Sequence, residues 1–119
     1  MAAMRPGTPA DPERLQRARQ ALGPPRTRAH LTRLQRLLCD PARLRIVQAL
    51  RAGPLAVSDL AAVIGRAPEA TSQHLRLLRA HGVVEGSRRG THIFYHLSSG
   101  GASAEVQDVL RTAERAAED

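Results

Sequence analysis

Apolar residues recur every three or four positions along most of this chain, which is the spacing of one helix face. In the first half of the chain this pattern predicts three helices, which begin at Asp11, near Thr27 and at Asp40. The first and third begin with an aspartate followed by proline, a cap and first-turn pair that favours a helix start. A leucine stripe runs along the second helix and consists of Leu31, Leu34, Leu37 and Leu38.

Two further helices follow across a tight turn. The first is predicted over residues 59–64 and closes at Gly65, and the second opens at Pro68 and ends at Gly82. Two helices joined in this way form the helix-turn-helix pattern.

Beyond Gly82 the spacing changes from helical to alternating. Residues 83–87 and 92–97 are predicted strands joined by a turn at 88–91, with Ile93, Tyr95 and Leu97 on one half-buried face. A last helix over about 102–117 has an apolar edge formed by Val106, Val109, Leu110 and Ala113. The predicted fold is therefore mainly α with a small β-hairpin, a winged helix-turn-helix in the order α-α-α-α-α-β-β-α.

Length and composition favour one small globular domain. The chain has 119 residues, 42% of them hydrophobic, and residues 1–10 are predicted to be a disordered tail ahead of a single domain over 11–119. No signal-peptide core and no stretch of roughly 20 apolar residues appears. The lone cysteine, Cys39, fits a reducing compartment, so we expect a cytoplasmic protein with no membrane partner.

The charge balance indicates a polyanionic partner. Eighteen basic residues, all arginine, face eleven acidic ones and give a net charge of +7. Arginine suits nucleic acid because its planar fork binds phosphate or guanine through two hydrogen bonds. An anionic membrane surface is the competing partner, but no long basic amphipathic helix supports it.

The second helix of the pair is expected to enter the major groove of DNA, while the hairpin tip reaches the neighbouring backbone. Along it Leu75, Leu78, Leu77 and Thr71 are expected to face inward. The residues predicted to contact DNA are Thr71, Ser72, Gln73, His74, Arg76, Arg79, Arg88 and Arg89. The alternative is that these side chains form only a solvated helix face and a soluble turn.

The last helix is acidic, with five acids against two arginines over residues 102–119, so it is expected to lie away from DNA. Its apolar edge and the leucine stripe are interpreted as a dimer interface, which places dimerisation helices at about 11–39 and 102–117. The alternative is that both stripes cover the core of one subunit. Small DNA-binding domains usually bind as dimers that recognise two half-sites.

The chain resembles the ArsR/SmtB family of bacterial repressors. The resemblance covers residues 38–97, where LCDPARLRIVQAL, VSDLAAVIG and ATSQHLRLLRAHGVVEGSRRGTHIFYHL follow one another. It implies a homodimer that binds an imperfect inverted repeat and releases it when a metal or other effector binds. It also implies that Ser72, Gln73 and His74 are the main residues facing the groove.

The sensing sites of that family are largely missing. Ala56-Val57-Ser58 stands where soft-metal sensors have Cys-Val-Cys. Weak candidate ligands for zinc or nickel are His30, Glu105 and Asp108, although carboxylates here more often form a solvated face. Cys39 is a weak redox candidate, because sulfide and redox sensors of this family use two cysteines; alternatively it is a small apolar residue that closes a helix end.

No Cys-His pair, Ser-His-Asp group or phosphate loop supports an enzyme. We therefore predict a sequence-specific DNA-binding transcriptional regulator, a dimeric repressor whose effector is undetermined. The alternatives are a winged-helix regulator that lacks its own effector site and acts with a partner protein, and a winged-helix protein-interaction module.

Overall fold

The computed structural model describes residues 11–118, and the predicted tail over 1–10 lies outside the described residues. The predicted order of helices and strands is confirmed, with one two-residue strand added. The elements are α1 Pro12–Ala21, α2 Pro25–Leu38, α3 Pro41–Leu50, β1 Leu55–Ala56, α4 Val57–Ile64, α5 Pro68–Ala80, β2 Val84–Arg89, β3 His92–Leu97 and α6 Ala104–Glu118. The strand β1 is too short to leave a periodic signal in the sequence.

The chain divides into two compact units between Arg33 and Leu34. In the first unit the Asp11 carboxylate accepts a hydrogen bond from the Glu13 amide at 3.1 Å and caps α1. None of the α1 residues is buried; Leu15 within the helix is 44% exposed and its C-cap Leu22 is 59% exposed. This unit therefore presents apolar side chains that its own contacts do not cover.

The second unit contains the hydrophobic core. Three helices supply its fully buried centre through Ile46, Val47, Leu60, Ile64, Leu75 and Leu78. Leu34, Leu37 and Leu38 at the end of α2 are buried in the same cluster, as are Val106 and Leu110 of α6. The interpretation of both stripes as a dimer interface is therefore wrong for these residues, because they cover the core of their own subunit. Leu31, in contrast, is exposed.

The three strands form an antiparallel sheet in the order β1-β3-β2. The predicted turn over 88–91 is too long, because Arg88 pairs with Ile93 and Arg89 pairs with His92 as the last residues of β2. The turn is Gly90-Thr91, and Gly90 has a φ of 62°, a left-handed conformation that glycine adopts without strain. Ile93 is 48% exposed, so the predicted half-buried face reaches only as far as Tyr95.

A polar joint closes the base of the hairpin. The buried Ser98 hydroxyl donates to the Gly82 carbonyl at the end of α5 and accepts from the Gly101 amide. A Cβ at Gly101 would collide with the Val83 carbonyl, so only glycine fits at this position. From this joint Gln107 of α6 donates back to the Gly101 carbonyl at 3.1 Å.

Candidate nucleic-acid interface

Helix α5 has a buried face and an open polar face. Thr71, Leu75 and Leu78 are fully buried, which anchors the helix on the core of its unit. On the opposite side Gln73, Arg76 and Arg79 are exposed, while Ser72 and His74 are half-buried at the borders. Because an α-helix has 3.6 residues per turn, Ser72, Gln73, Arg76 and Arg79 form one polar strip along α5. His74 lies apart from this strip, beyond the exposed Leu77. The predicted outward orientation of Gln73 and Arg76 is confirmed.

Two residues of α5 must be reassigned. Thr71 cannot contact a nucleic acid through its side chain, because it is buried and its hydroxyl donates to the Ala67 carbonyl at 2.9 Å. Its role is to tie the first turn of α5 to the preceding turn. Leu77 does not face inward as predicted but is 38% exposed.

The turn between α4 and α5 is held from α3. Gly65 ends α4 in a left-handed conformation with a φ of 69°. The Arg45 guanidinium donates to the Ile64 carbonyl at 2.8 Å and to the Val63 carbonyl at 3.3 Å. It thereby satisfies carbonyls that the end of a helix leaves without partners. No sequence pattern indicates this role of Arg45, because a contact between residues 19 positions apart leaves no local signal.

Asp40 sets the start of α3. Its carboxylate accepts hydrogen bonds from the amides of Ala42 at 2.9 Å and Arg43 at 3.1 Å. The bond from the Arg43 amide lowers the pKa of the Asp40 carboxyl. Partial burial opposes this shift, and the charges of Arg43 and His74 add to it. His74 of α5 therefore lies within electrostatic reach of this carboxylate.

The two arginines of the wing, the β2–β3 hairpin, point to opposite faces of the sheet, since side chains alternate along a strand. Arg88 lies on the face of its partner Ile93. Arg89 lies on the other face, where its guanidinium carbon is 5.3 Å from the centroid of the Phe94 ring. The prediction that Arg88 and Arg89 both lie in the turn is therefore wrong, because both belong to β2.

The outer face of the wing also carries a cross-strand pair. The His96 imidazole lies 3.4 Å from the Glu85 carboxylate, and the two residues are directly opposite each other in the β2–β3 pairing. This contact occupies Glu85, one of the three acids over residues 41–97.

The predicted sensing residues are all on the surface. His30 on α2 is exposed, and so are Glu105 and Asp108 on α6, where Asp108 forms an ion pair with Arg111. Cys39 directly follows the end of α2, where its amide donates to the Gln35 carbonyl at 3.0 Å, and it is exposed. Among the side chains that the structure describes, no three of His, Cys, Asp or Glu come close enough together to hold a metal ion.

None of the helices in the described part of the chain is long and apolar enough to cross a membrane.

An exposed polar helix behind a tight turn, followed by a basic-ended hairpin, is the arrangement of a winged helix-turn-helix protein. A helix-turn-helix domain model matches residues 38–87. The chain is 50% identical over 60 residues to the HTH-type transcriptional regulator NmtR of Mycobacterium tuberculosis. These 60 residues are 50% of this chain and 50% of NmtR. It is 35% identical over 98 residues to the biofilm growth-associated repressor of Xylella fastidiosa, across 72% of this chain and 85% of that one.

A solved structure agrees with these relatives. The homodimeric winged helix-turn-helix DNA-binding domain Mb0332 of Mycobacterium bovis, described as a possible ArsR-family regulator, superposes with a TM-score of 0.62 at 26% identity. The match covers 80% of this chain and 87% of that domain. The chain belongs to the ArsR/SmtB family of transcriptional regulators. It spans about half the length of several curated relatives that it matches.

Proposed function

We propose that this chain is a repressor that binds operator DNA as a homodimer, with α5 in the major groove and the wing on the flanking backbone. The observation that carries the proposal is the polar strip of α5, which stays open to solvent while Leu75 and Leu78 on its other face are fully buried. A helix held on one side and open on the other fits the major groove, which is about 12 Å wide.

The chemistry of the strip suits base edges and phosphates. The Gln73 amide can pair with adenine and the Arg76 guanidinium with guanine, each through two hydrogen bonds. Ser72 can bond to either base edges or phosphate. Arg79 lies one turn beyond Arg76 on the helix, where it meets the phosphate backbone in this proposal.

The distribution of charge supports the same orientation. Residues 41–97 carry eight arginines against three acids, and residues 1–40 carry the same numbers, whereas residues 102–119 carry two arginines against five acids. The segment 41–97 contains α5 and the wing, and the acidic segment contains α6. Attraction to phosphates and release of their counterions therefore favour contact through α5 and the wing over contact through α6.

A homodimer would compensate for the small DNA site that one winged helix contacts. One winged helix reads few base pairs, and a two-fold dimer doubles the site by placing two copies of α5 on successive turns of DNA. The similar domain from Mycobacterium bovis is homodimeric.

The test is a fluorescence titration with duplexes selected by the protein from a random-sequence pool, at several salt concentrations. Arg76→Ala should weaken binding to the selected duplex by about 1–3 kcal/mol, because a groove contact is lost. The matched control is Arg115→Ala, which removes an exposed arginine from the acidic helix α6 and should leave affinity unchanged. Selection that yields no preferred sequence would overturn the proposal, and unchanged affinity of folded Arg76→Ala would remove this residue from the interface.

The same titration, repeated with zinc, nickel, polysulfide and a chelator, tests for an effector. An effector must bind one of the two forms, free or DNA-bound, more tightly in order to shift the equilibrium. Release of DNA caused by zinc or nickel would implicate His30, Glu105 and Asp108 as ligands. Release of DNA caused by polysulfide would implicate Cys39. Binding that none of these reagents changes would favour a regulator that acts with a partner protein.

A further inference from the structure

The position of α5 depends on the short connection that precedes it. Between the end of α4 and the start of α5 the chain has only Gly65, Arg66 and Ala67. The Arg66 amide bonds back to the Ala61 carbonyl at 3.0 Å. Neither Ala67, which precedes α5, nor Ala56, which precedes α4, offers a side chain that caps its helix. The connection is therefore fixed by backbone geometry and by groups that reach it from elsewhere.

Arg45 reaches the connection from α3. Its guanidinium donates to two successive carbonyls, those of Val63 and Ile64, directly ahead of Gly65. A planar fork suits two adjacent acceptors, and its positive charge lies at the negative end of the α4 dipole. Thr71 secures the other side of the connection through its bond to the Ala67 carbonyl.

We propose that Arg45 is a positioning residue for DNA recognition, which fixes the α4–α5 turn and thereby the angle at which α5 presents its polar strip. This inference rests on the proposed DNA-binding function and adds a residue outside the reading helix to it. Direct readout needs side chains placed to hydrogen-bond accuracy, whereas phosphate attraction tolerates small displacements. Loss of Arg45 should therefore reduce discrimination between sequences more than overall attraction to DNA.

The same helix offers a matched control. Arg43 lies two residues before Arg45, and its Nε donates to the Leu37 carbonyl at 2.7 Å near the end of α2. Both arginines thus bond the carbonyl end of a helix, but only Arg45 acts on the turn before α5. Arg43→Ala should cost comparable stability without changing how DNA is read.

The first readout is binding to the selected duplex and to a scrambled duplex of equal length. Arg45→Ala should lower the ratio of the two affinities roughly tenfold. Binding to the scrambled duplex and the slope of binding against salt should stay unchanged, since no phosphate contact is removed. Arg45→Lys, which has one ammonium in place of the fork, should fall between Arg45→Ala and the parent chain. Arg43→Ala should have the same ratio of affinities for the selected and the scrambled duplex as the parent chain.

The second readout needs no DNA. Hydrogen exchange of the Arg66 amide reports opening of the turn, and it should speed up several-fold in Arg45→Ala but not in Arg43→Ala. An unchanged affinity ratio in Arg45→Ala would overturn the inference while leaving the proposed function intact. A salt slope reduced by about one, with both duplexes weakened equally, would instead make Arg45 a phosphate contact. A parent chain without sequence preference would refute the proposed function itself, and faster exchange in the variant would then report stability alone.

Discussion

The Asp40 carboxylate shows how one side chain settles the start of a helix. It accepts bonds from two amides that the first turn of α3 leaves without partners. Asn would keep most of this cap, whereas Ala would lose it, with a cost of about 1 kcal/mol. Because both bonds favour the ionised carboxylate, they also make the stability of the second unit depend on pH.

We expect the stabilising effect of the Asp40 charge to be lost in acid. Its pKa is lowered in the folded chain, so the contribution is complete above the ordinary aspartate value of about 4 and disappears as pH falls through the lower folded value. Urea unfolding at pH 7 and pH 3 should show Asp40→Asn less stable than the parent at neutral pH, with a smaller difference in acid. A difference that grows towards pH 3 would contradict this assignment.

The contacts of single residues differ in how far they can be predicted from the sequence. The outward set of α5 could be predicted because helical spacing separates it from Leu75 and Leu78. Arg45 and the Ser98 joint could not, since their partners are carbonyls distant in sequence. Main-chain acceptors are identical at every position, so nothing in the residue types reveals which of them a side chain will reach.

At the scale of elements, the helices follow from spacing and caps, whereas the wing depends on pairing. Polarity alone placed Arg88 and Arg89 in the turn, but backbone pairing extends β2 to Arg89. A two-residue turn that starts with glycine allows this extension, because its left-handed conformation matches the twist of the strands. The two cations consequently lie on opposite faces, with Arg89 stacked on Phe94.

This geometry predicts separate contributions from the two wing arginines. Arg88→Ala and Arg89→Ala should each reduce the slope of log affinity against log salt by about one, because each removes one phosphate contact. Phe94→Leu is the matched control: it removes the ring below Arg89 but no charge, so the slope should not change. Salt titration of the three variants on one duplex makes the comparison. If both arginine variants kept the slope of the parent chain, the wing would not contact the DNA backbone.

At the scale of the molecule, the core of the second unit already uses the stripes that the sequence suggested for dimerisation. Leu34, Leu37, Val106 and Leu110 are buried within one chain and cannot also form a subunit interface. Of the six large apolar side chains that stay exposed in the described part of the chain, Val63, Leu77 and Ile93 lie apart from one another on three elements of the second unit, and Leu15, Leu22 and Leu31 lie in the first unit. Leu15 and Leu22 are seven residues apart, on one face of α1 and its C-cap. We therefore expect α1 to contribute the apolar part of the proposed homodimer interface.

The double substitution Leu15→Gln/Leu22→Gln tests this expectation. Burial of one leucine contributes about 1.5–3 kcal/mol, so the double variant should weaken the dimer by a factor of ten or more, as roughly 1.4 kcal/mol already corresponds to tenfold. Light scattering over a dilution series measures the dissociation. Val63→Thr, which changes an exposed apolar side chain in the second unit, is the control and should leave the dimer intact.

The dimer in turn dictates the spacing of the operator. Two copies of α5 related by a two-fold axis should read half-sites one helical turn apart, about 34–36 Å centre to centre. Inserting about 5 base pairs between the half-sites turns the second one to the opposite side of the duplex and should abolish cooperative binding, since a full turn takes about 10 base pairs. Undiminished binding to that duplex would mean that each subunit binds alone. Loss of binding in both this duplex and the leucine double variant would tie DNA recognition to the dimer.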